Sequence, residues 1–415
     1  MISKKKATTG AIILVLVTTV TTFTLSNLIQ LPMGQKVIVN GAKYDEMLEV
    51  YESQVKAVAL GEYISENYIE EVDKQKLEDG QLKGLFEATG DPYSVYMDKE
   101  EFAHFSEASK GTFGGIGVVV SLGEDNRLAV VKTIKGGPSE KLGIKRGDKI
   151  SKVDGKEFNP LDYSNVILMR EDIVKALRGK PGTKVDVTLI RTDENNKEQS
   201  IEKNIKREKI RNETVESQIL DGDIGYISIA SFDEITADDF KKHLSDLKSK
   251  NMKGLVIDLR FNPGGILDVS AAIADELMGE GTIVYTEDRN KERSYLKSDK
   301  NKLGLPLAVV VNGESASASE VVSGALQDTK DAVIVGTTTY GKGIVQTVKP
   351  LSDGTAVKLT ISEYFTPKGR TIHKKGVEPD VVVELPENIE QIGPDNLAED
   401  TQLKKAVEIV KDKIK

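Results

Sequence analysis

Twice in its second half this chain passes through the same succession: a short apolar run, a turn of small polar residues, then apolar side chains three and four positions apart. Leu255-Val256-Ile257-Asp258-Leu259 leads through Asn262-Pro263-Gly264-Gly265 into Ile266, Val269, Ile273 and Leu277. Ala308-Val309-Val310-Val311 leads through Asn312-Gly313-Glu314-Ser315-Ala316-Ser317-Ala318-Ser319-Glu320 into Val321, Val322, Ala325 and Leu326, and a third run follows at Ala332-Val333-Ile334-Val335. Runs that are apolar on both faces and alternate with helical patterns fit a parallel sheet covered on both sides. Such a sheet carries its reactive groups in the loops that leave its strands.

Composition narrows the chemistry those loops can perform. The 415 residues include no cysteine and three histidines, His104, His243 and His373. A cysteine nucleophile, a thiolate metal site and a disulfide framework are thereby excluded. At about 150 residues per domain the length suggests two to three domains. Lys+Arg at 57 against Asp+Glu at 66 gives a net charge of −9, which argues against nucleic acid as the main ligand. Hydroxyls, carboxylates, lysines, arginines and backbone groups remain, and no metal or organic cofactor is called for.

The second loop presents Ser315, Ser317 and Ser319 in alternation at the expected start of a helix. Unpaired N–H groups and the positive end of the helix dipole favour an oxyanion there. The same residues also make an ordinary N-cap with small side chains for close packing. Further on, Tyr340-Gly341-Lys342-Gly343-Ile344-Val345-Gln346 places Lys342, Ile344 and Gln346 on one face if the segment is extended. A lysine flanked by glycines and facing the same way as an amide suits a general base held by its neighbour.

Between residues 110 and 195 the pattern changes to short alternating strands and glycine turns, as where Val185, Val187 and Leu189 alternate with Lys184, Asp186 and Thr188. Four signatures fall there in order: Gly114-Gly115-Ile116-Gly117-Val118-Val119, the stretch from Gly136-Gly137-Pro138 to Gly147-Asp148, Val153-Asp154-Gly155, and Leu177-Arg178-Gly179-Lys180-Pro181-Gly182-Thr183. Together they resemble a PDZ domain of the bacterial protease-associated type. Glycines at 115 and 117 let successive N–H groups turn toward one point, which suits a carboxylate, and the strand from Val118 can pair with an extended peptide. Gly115, Ile116, Gly117 and Val118 are therefore candidate contacts to the free apolar C-terminus of a protein or peptide. Arg178 is a candidate cation near that carboxylate or at the module's border.

At the amino end Lys4, Lys5 and Lys6 precede an uncharged stretch from Gly10 to Ile29. A bilayer core needs about 20 residues, so residues 1–30 are expected to form a signal anchor, single-pass in the cell membrane, with the body outside the cytoplasm. Cleavage as a signal peptide, followed by secretion, is the alternative. Residues 40–108 carry helical spacing, with Leu48, Tyr51, Val55 and Val58 on one stripe. That segment and the helical pattern from Thr401 to Ile414, within residues 389–415, are candidate elements of a homodimer.

The order Leu259-Arg260-Phe261-Asn262-Pro263-Gly264-Gly265, Ser315-Ala316-Ser317-Ala318-Ser319-Glu320, Gly341-Lys342-Gly343-Ile344-Val345-Gln346 and Gly376-Val377-Glu378-Pro379-Asp380 resembles the successive motifs of the carboxyl-terminal processing (tail-specific) proteases. Gly90-Asp91-Pro92-Tyr93-Ser94 and the PDZ-like insert fit the same family. The resemblance implies that Ser317 is the nucleophile, Lys342 the general base and Gln346 the residue that orients the lysine. It also implies an oxyanion hole from the backbone N–H groups of Ala318 and of the Gly264-Gly265 turn. Ser315 and Ser319 would then be supporting residues, and His373 structural. The fold class expected is a multidomain α+β and α/β chain: a membrane anchor, a helical arm, a PDZ-like β-rich domain, and an α/β Ser/Lys protease core over residues 208–388 with 88–108. A lysine acts as base only when neutral. Moving its pKa from about 10.4 to near 7 takes about 4 kcal/mol of destabilisation of the charged form, which burial supplies. The alternative reading is a non-catalytic, PDZ-containing peptide-binding scaffold that keeps the protease fold.

Overall fold

The structure is a computed structural model that describes residues 4–28, 32–33, 36–37 and 40–414, apart from 124, 164–165, 194–196, 388 and 390. The chain divides into two compact units, residues 1–90 and 91–415.

Three helices, Lys4–Leu28, Gly41–Asn67 and Lys74–Glu87, make up most of the first unit. Asn40 and Asp73 cap the second and third, accepting the N–H groups of Lys43 and Gln75 at 2.8 Å each. The helix Gly41–Asn67 buries none of its residues, and Leu48, Tyr51, Val55 and Val58 are all exposed. The expectation of a membrane-spanning anchor over residues 1–30, of which 1–3 and 29–30 lie outside the described residues, is not confirmed. Residues 4–28 do form one helix, but among the described residues no helix is long and apolar enough to cross a membrane. Threonines at 18, 19, 21, 22 and 24 interrupt the apolar run. The hydroxyls of Thr18, Thr19 and Thr21 bond to carbonyls four residues back, at 2.7, 2.8 and 2.6 Å, which satisfies the hydroxyls without making the helix apolar.

The second unit is organised around a six-stranded sheet in the order Val215–Leu220, Ile224–Ile229, Gly254–Asp258, Leu307–Val311, Val333–Gly336, Val381–Val382. The first pair is antiparallel and every later pair parallel, as the crossover pattern requires. Gly254–Asp258 and Leu307–Val311 are buried at every position. Their alternate residues serve different cores. Leu255, Ile257, Val309 and Val311 pack with the helices Thr236–Ser249, Leu267–Asp275 and Ala318–Thr329. Val256, Ala308 and Val310 pack with Leu403, Ala406, Val407 and Val410 of the helix Thr401–Ile414. That last helix, a candidate dimer element from its sequence, thus buries its apolar face on the sheet of its own chain.

A second, antiparallel sheet runs Arg293–Ser298, Gly281–Asp288, Ala356–Phe365, Ile344–Pro350, and the short strand Val95–Met97 pairs with residues 356–358. This pairing brings the segment after Asp91 beside the strands that follow Lys342.

The PDZ-like region has its own sheet, in the order Glu198–Lys206, Lys184–Thr192, Lys149–Val153, Leu128–Thr133, Val118–Leu122, and its own core, which includes Leu128, Ile150, Ile173, Val187 and Leu189. The chain enters it through Thr112–Gly115 and leaves through Glu208–Arg211, two strands that pair antiparallel with each other. Val118–Leu122 lies at the sheet's edge, so one of its sides is open to a further strand.

Candidate active site

Both loops expected to carry chemistry leave adjacent parallel strands and lie against each other. Ser315 and Ser319 make that junction. Their hydroxyls donate to the carbonyls of Leu259 (2.8 Å) and Asn262 (3.0 Å), and the Ala316 N–H donates to the Asn262 carbonyl at 3.0 Å. Both serines are fully buried. Ser317, between them, is half-buried, and its hydroxyl makes no hydrogen bond among the described residues. It stands immediately before the helix Ala318–Thr329 with φ +54° and ψ −112°. A non-glycine residue held in this region costs on the order of 1–3 kcal/mol, and such strain persists where the surroundings enforce it. The turn points Ser317 away from the hydrogen bonds that occupy its neighbours.

The Asn-Pro-Gly-Gly turn presses directly on that serine. A Cβ at Gly264 (φ +104°) would lie 2.8 Å from the Ser317 Cβ, and one at Gly265 (φ +149°) 2.3 Å from the Phe232 carbonyl oxygen, so only glycine fits at either position. The N–H of Gly264 donates to the Asn262 side chain at 2.9 Å, which takes it out of the oxyanion-binding role expected of it. The N–H groups of Gly265 and of Ala318, the first in its helix, donate to no protein group among the described hydrogen bonds. Both residues line the cavity that also holds Ser317.

Lys342 precedes the strand Ile344–Pro350, and a bulge falls between Val345 and Gln346. Lys342 stands ahead of the strand itself, so strand alternation relates only Ile344 and Gln346, and the extra residue at the bulge, Ile361, belongs to the partner strand. Even so, Ser317, Lys342, Ile344 and Gln346 all line one cavity of about 630 Å³, together with Gly265 and Ala318. Its walls include Phe105, Ile266, Leu267, Val321 and Val348. The Lys342 Nζ sits 4.4 Å from the centre of the Tyr93 ring and makes no hydrogen bond to Ser317 or Gln346 among the described residues. Burial lowers the Lys342 pKa from the usual lysine value and the Lys358 ammonium lowers it further, while Asp91 and Glu320 oppose this without cancelling it. The Gln346 amide donates to the Thr360 hydroxyl at 3.2 Å and to the Ile344 carbonyl at 3.5 Å. His373 contributes its backbone, against which Gly343 packs, and its Nδ1 is buried without a hydrogen-bond partner among the described residues.

One residue of the site carried no role in the sequence reading. Glu320 is fully buried, and its carboxylate accepts from the N–H groups of Ser317 (2.8 Å), Gly341 (2.7 Å) and Lys342 (2.9 Å) and from the Thr339 hydroxyl (2.6 Å). It ties the serine turn to the lysine loop. The available signal was its place three residues after Ser317, the spacing at which a glutamate reaches back to the N–H before a helix. Glu320→Gln supplies one acceptor oxygen and turns an NH₂ toward N–H donors. It is therefore expected to lower the unfolding free energy by about 1–3 kcal/mol and to reduce hydrolysis as well, checked by urea unfolding and rate on the same samples. Stability and rate both unchanged would show that the carboxylate ties nothing together.

In the PDZ-like region Gly117 has φ +74° and Ile116 is buried. The Ile116 carbonyl accepts from the Ser139 N–H (3.1 Å) and hydroxyl (2.6 Å), and the Gly117 carbonyl from the Ile134 N–H (3.0 Å), which anchors the turn ahead of Val118. Arg178 lies at the module's border. Its guanidinium lies 4.7 Å over the ring of Phe113, on the strand that enters the module, so it marks the border and not the Gly115–Val118 turn.

Ser317 on its strained strand-to-helix turn and Lys342 with its lowered pKa thus line one cavity. Residues 223–383 match the family model of peptidase family S41, residues 107–190 that of the PDZ domain, and residues 16–101 that of the activating protease CtpB N-terminal domain. The carboxy-terminal processing protease CtpA of Bacillus subtilis (strain 168) is 38% identical over 358 residues, covering 86% of this chain and 72% of that protein. CtpB of the same organism is 37% identical over 331 residues, covering 79% and 67%. The chain belongs to the carboxy-terminal processing protease family, a family of serine peptidases with a PDZ domain. A putative S41 protease from Bacteroides fragilis NCTC 9343 shares the fold, with a TM-score of 0.51 at 14% identity over 79% of this chain and 89% of that one.

Proposed function

We propose that the chain is an endopeptidase that uses Ser317 as nucleophile and Lys342 as general base, acting on proteins whose apolar C-termini engage the PDZ-like module. The observation that carries this reading is the common cavity, in which the unbonded Ser317 hydroxyl and the half-buried Lys342 amine both sit. Neutral Lys342 removes the proton as the Ser317 Oγ attacks the peptide carbonyl carbon. The carbonyl oxygen takes up the negative charge facing the N–H groups of Gly265 and Ala318. Collapse breaks the C–N bond, Lys342 returns the proton to the departing amine, and an ester remains on Ser317. Water, deprotonated by the same amine, then hydrolyses that ester and restores the serine. Gln346 accepts from the Lys342 amine without adding a negative charge, which would favour its protonated form.

In the arrangement observed, Ser317 and Lys342 share no hydrogen bond, so the amine must leave the Tyr93 ring before it can accept the proton. Binding of a tail along the open edge of Val118–Leu122 supports such a change in this reading, because the chain enters and leaves the module through two paired strands and the other links include the exposed ion pairs Lys132–Glu216 and Lys175–Glu100. The test is a pH–rate profile on an unfolded substrate with an apolar tail. The rate of the unmodified protein is expected to rise with pH through a pKa below the ordinary lysine value, and Lys342→Ala to be inactive from about pH 6 to 9. Full activity of that variant across the range refutes the base. Tail binding with no cleavage by the unmodified protein favours the scaffold reading instead.

A further inference from the structure

Gln346 stands directly opposite Thr360 on the neighbouring strand, a pairing set by the bulge between Val345 and Gln346. The Gln346 Nε2 donates to the Thr360 Oγ1 at 3.2 Å, and its Oε1 accepts no hydrogen bond among the described residues. On the other side of Thr360 lies the turn that opens the second unit. The Thr360 N–H donates to the Ser94 hydroxyl at 2.9 Å, and that hydroxyl donates to the Asp91 carboxylate at 2.6 Å. The Tyr93 N–H holds the second carboxylate oxygen at 3.0 Å, and the Tyr93 ring carries the Lys342 Nζ on its face.

A threonine hydroxyl has one proton and two lone pairs, and a carboxylate only accepts. The Thr360 hydroxyl acts on the Asp91 carboxylate, whose pKa it lowers, and Ser94 joins the two residues by accepting from the Thr360 N–H and donating to Asp91; with its proton turned to that carboxylate, the hydroxyl offers a lone pair to Gln346. Only the NH₂ end of the Gln346 amide can face such a lone pair. The amide is thereby oriented with its oxygen as the free end, the end that a lysine amine can donate to. We infer that Asp91 and Thr360 are positioning residues for the Ser/Lys pair: Asp91 sets the direction of the Thr360 hydroxyl, and Thr360 sets the direction of the Gln346 amide. The inference rests on the Ser317–Lys342 reading and adds to it the reason why Gln346 presents oxygen and not nitrogen. Asp91 also acts on Lys342 by its charge, which favours the protonated amine. The other groups facing that amine are Tyr93, Tyr340, Glu320 and Lys358, with Asp233 and Asp268 on the cavity wall.

Three variants of the full chain test this by kcat, KM and pH–rate profile. Thr360→Val removes the lone pair at nearly constant volume. It is expected to lower kcat about ten- to a hundredfold, with KM within about twofold, because the base is misplaced while substrate contacts are kept. Thr360→Ser is expected to restore kcat to within about threefold of the unmodified protein, since the hydroxyl returns. Asp91→Asn removes the charge and is expected to move the acid limb of the profile to lower pH, because the neutral amine then persists further into acid. A Thr360→Val protein with unchanged kcat, or an Asp91→Asn profile that does not move, overturns the inference. So does a Thr360→Ser protein no better than Thr360→Val, which would mark the threonine as packing alone. If Ser317→Ala or Lys342→Ala retained activity, the dyad reading would fail instead, a result that the Thr360 series neither mimics nor hides.

Discussion

Ser317→Ala is expected to abolish hydrolysis, by about 10⁴-fold or more, while leaving the fold unchanged. Both halves of that expectation follow from the same geometry. The Ser317 hydroxyl makes no hydrogen bond, so removing it leaves no buried partner unsatisfied. The bonds that hold the turn belong to its backbone: its N–H donates to Glu320 at 2.8 Å and its carbonyl accepts from the Tyr364 hydroxyl at 3.0 Å. Alanine keeps the Cβ and hence the positive φ, so the strain in the turn is the same in both proteins. Cleavage of an unfolded substrate with an apolar tail measures the first half, and thermal unfolding the second, with a Tm expected to stay within about 2 °C. Equal cleavage by both proteins would remove Ser317 from the mechanism. A loss of activity accompanied by a large fall in Tm would mean that the serine serves structure.

Asp400→Ala is expected to have the largest effect on stability. The Arg260 guanidinium is fully buried and bonds to Asp258 (2.6–3.2 Å), to both oxygens of Asp400 (2.8 Å each) and to Gln402 (3.2 Å). Tyr226 completes the group through its hydroxyl on Asp258 at 2.9 Å. Removing one carboxylate from such a buried set leaves the cation short of its partner, which costs about 3–5 kcal/mol. The loss would fall where the Asn262-Pro263-Gly264-Gly265 turn departs and where the helix Thr401–Ile414 begins, loosening that helix from the sheet. Urea unfolding of the full chain measures it, and a change below about 1 kcal/mol would mean that the ion pair adds little over an apolar contact. The acid side offers a second check. Burial raises the Asp400 pKa, but the Arg260 bonds and the N–H groups of Leu403 and Gly393 outweigh it, so the net shift is downward. A depressed carboxyl pKa stabilises the fold above the unfolded value of about 3.9 and ceases to do so as pH falls through the folded value. Loss of the Asp400 contribution is therefore expected below about pH 4, and Asp400→Ala should show a flatter stability curve there.

Much of this architecture is legible in the linear order of residues. Short apolar runs at 255–257 and 308–311, each followed by a turn, fit strands buried on both faces. The glycine pair at 264–265 and the serine alternation at 315–319 specify a tight approach between two loops. The structure shows why each glycine is needed: a Cβ would meet Ser317 or Phe232. Where the reading failed, a local rule met a non-local constraint. Helical periodicity offered Thr401–Ile414 to a second copy, but the open face of the central sheet takes it. Hydropathy offered the amino end to a bilayer, but among the described residues no helix is long and apolar enough to cross one.

Residue types were enough to narrow the chemistry: with no cysteine and three histidines, hydroxyls, carboxylates and amines are what remain. They were also enough to choose the sheet that carries it. They leave undetermined which donors are free once the chain closes. Gly264 and Gly265 are adjacent, yet one N–H is taken by Asn262 and the other is not. Ser94 and Thr360 are 266 positions apart, yet they share the hydrogen bond that connects Asp91 to Gln346. A hydrogen bond depends on angles and on tenths of an ångström, and these are set by packing between distant segments, whereas apolar periodicity is a property of neighbours.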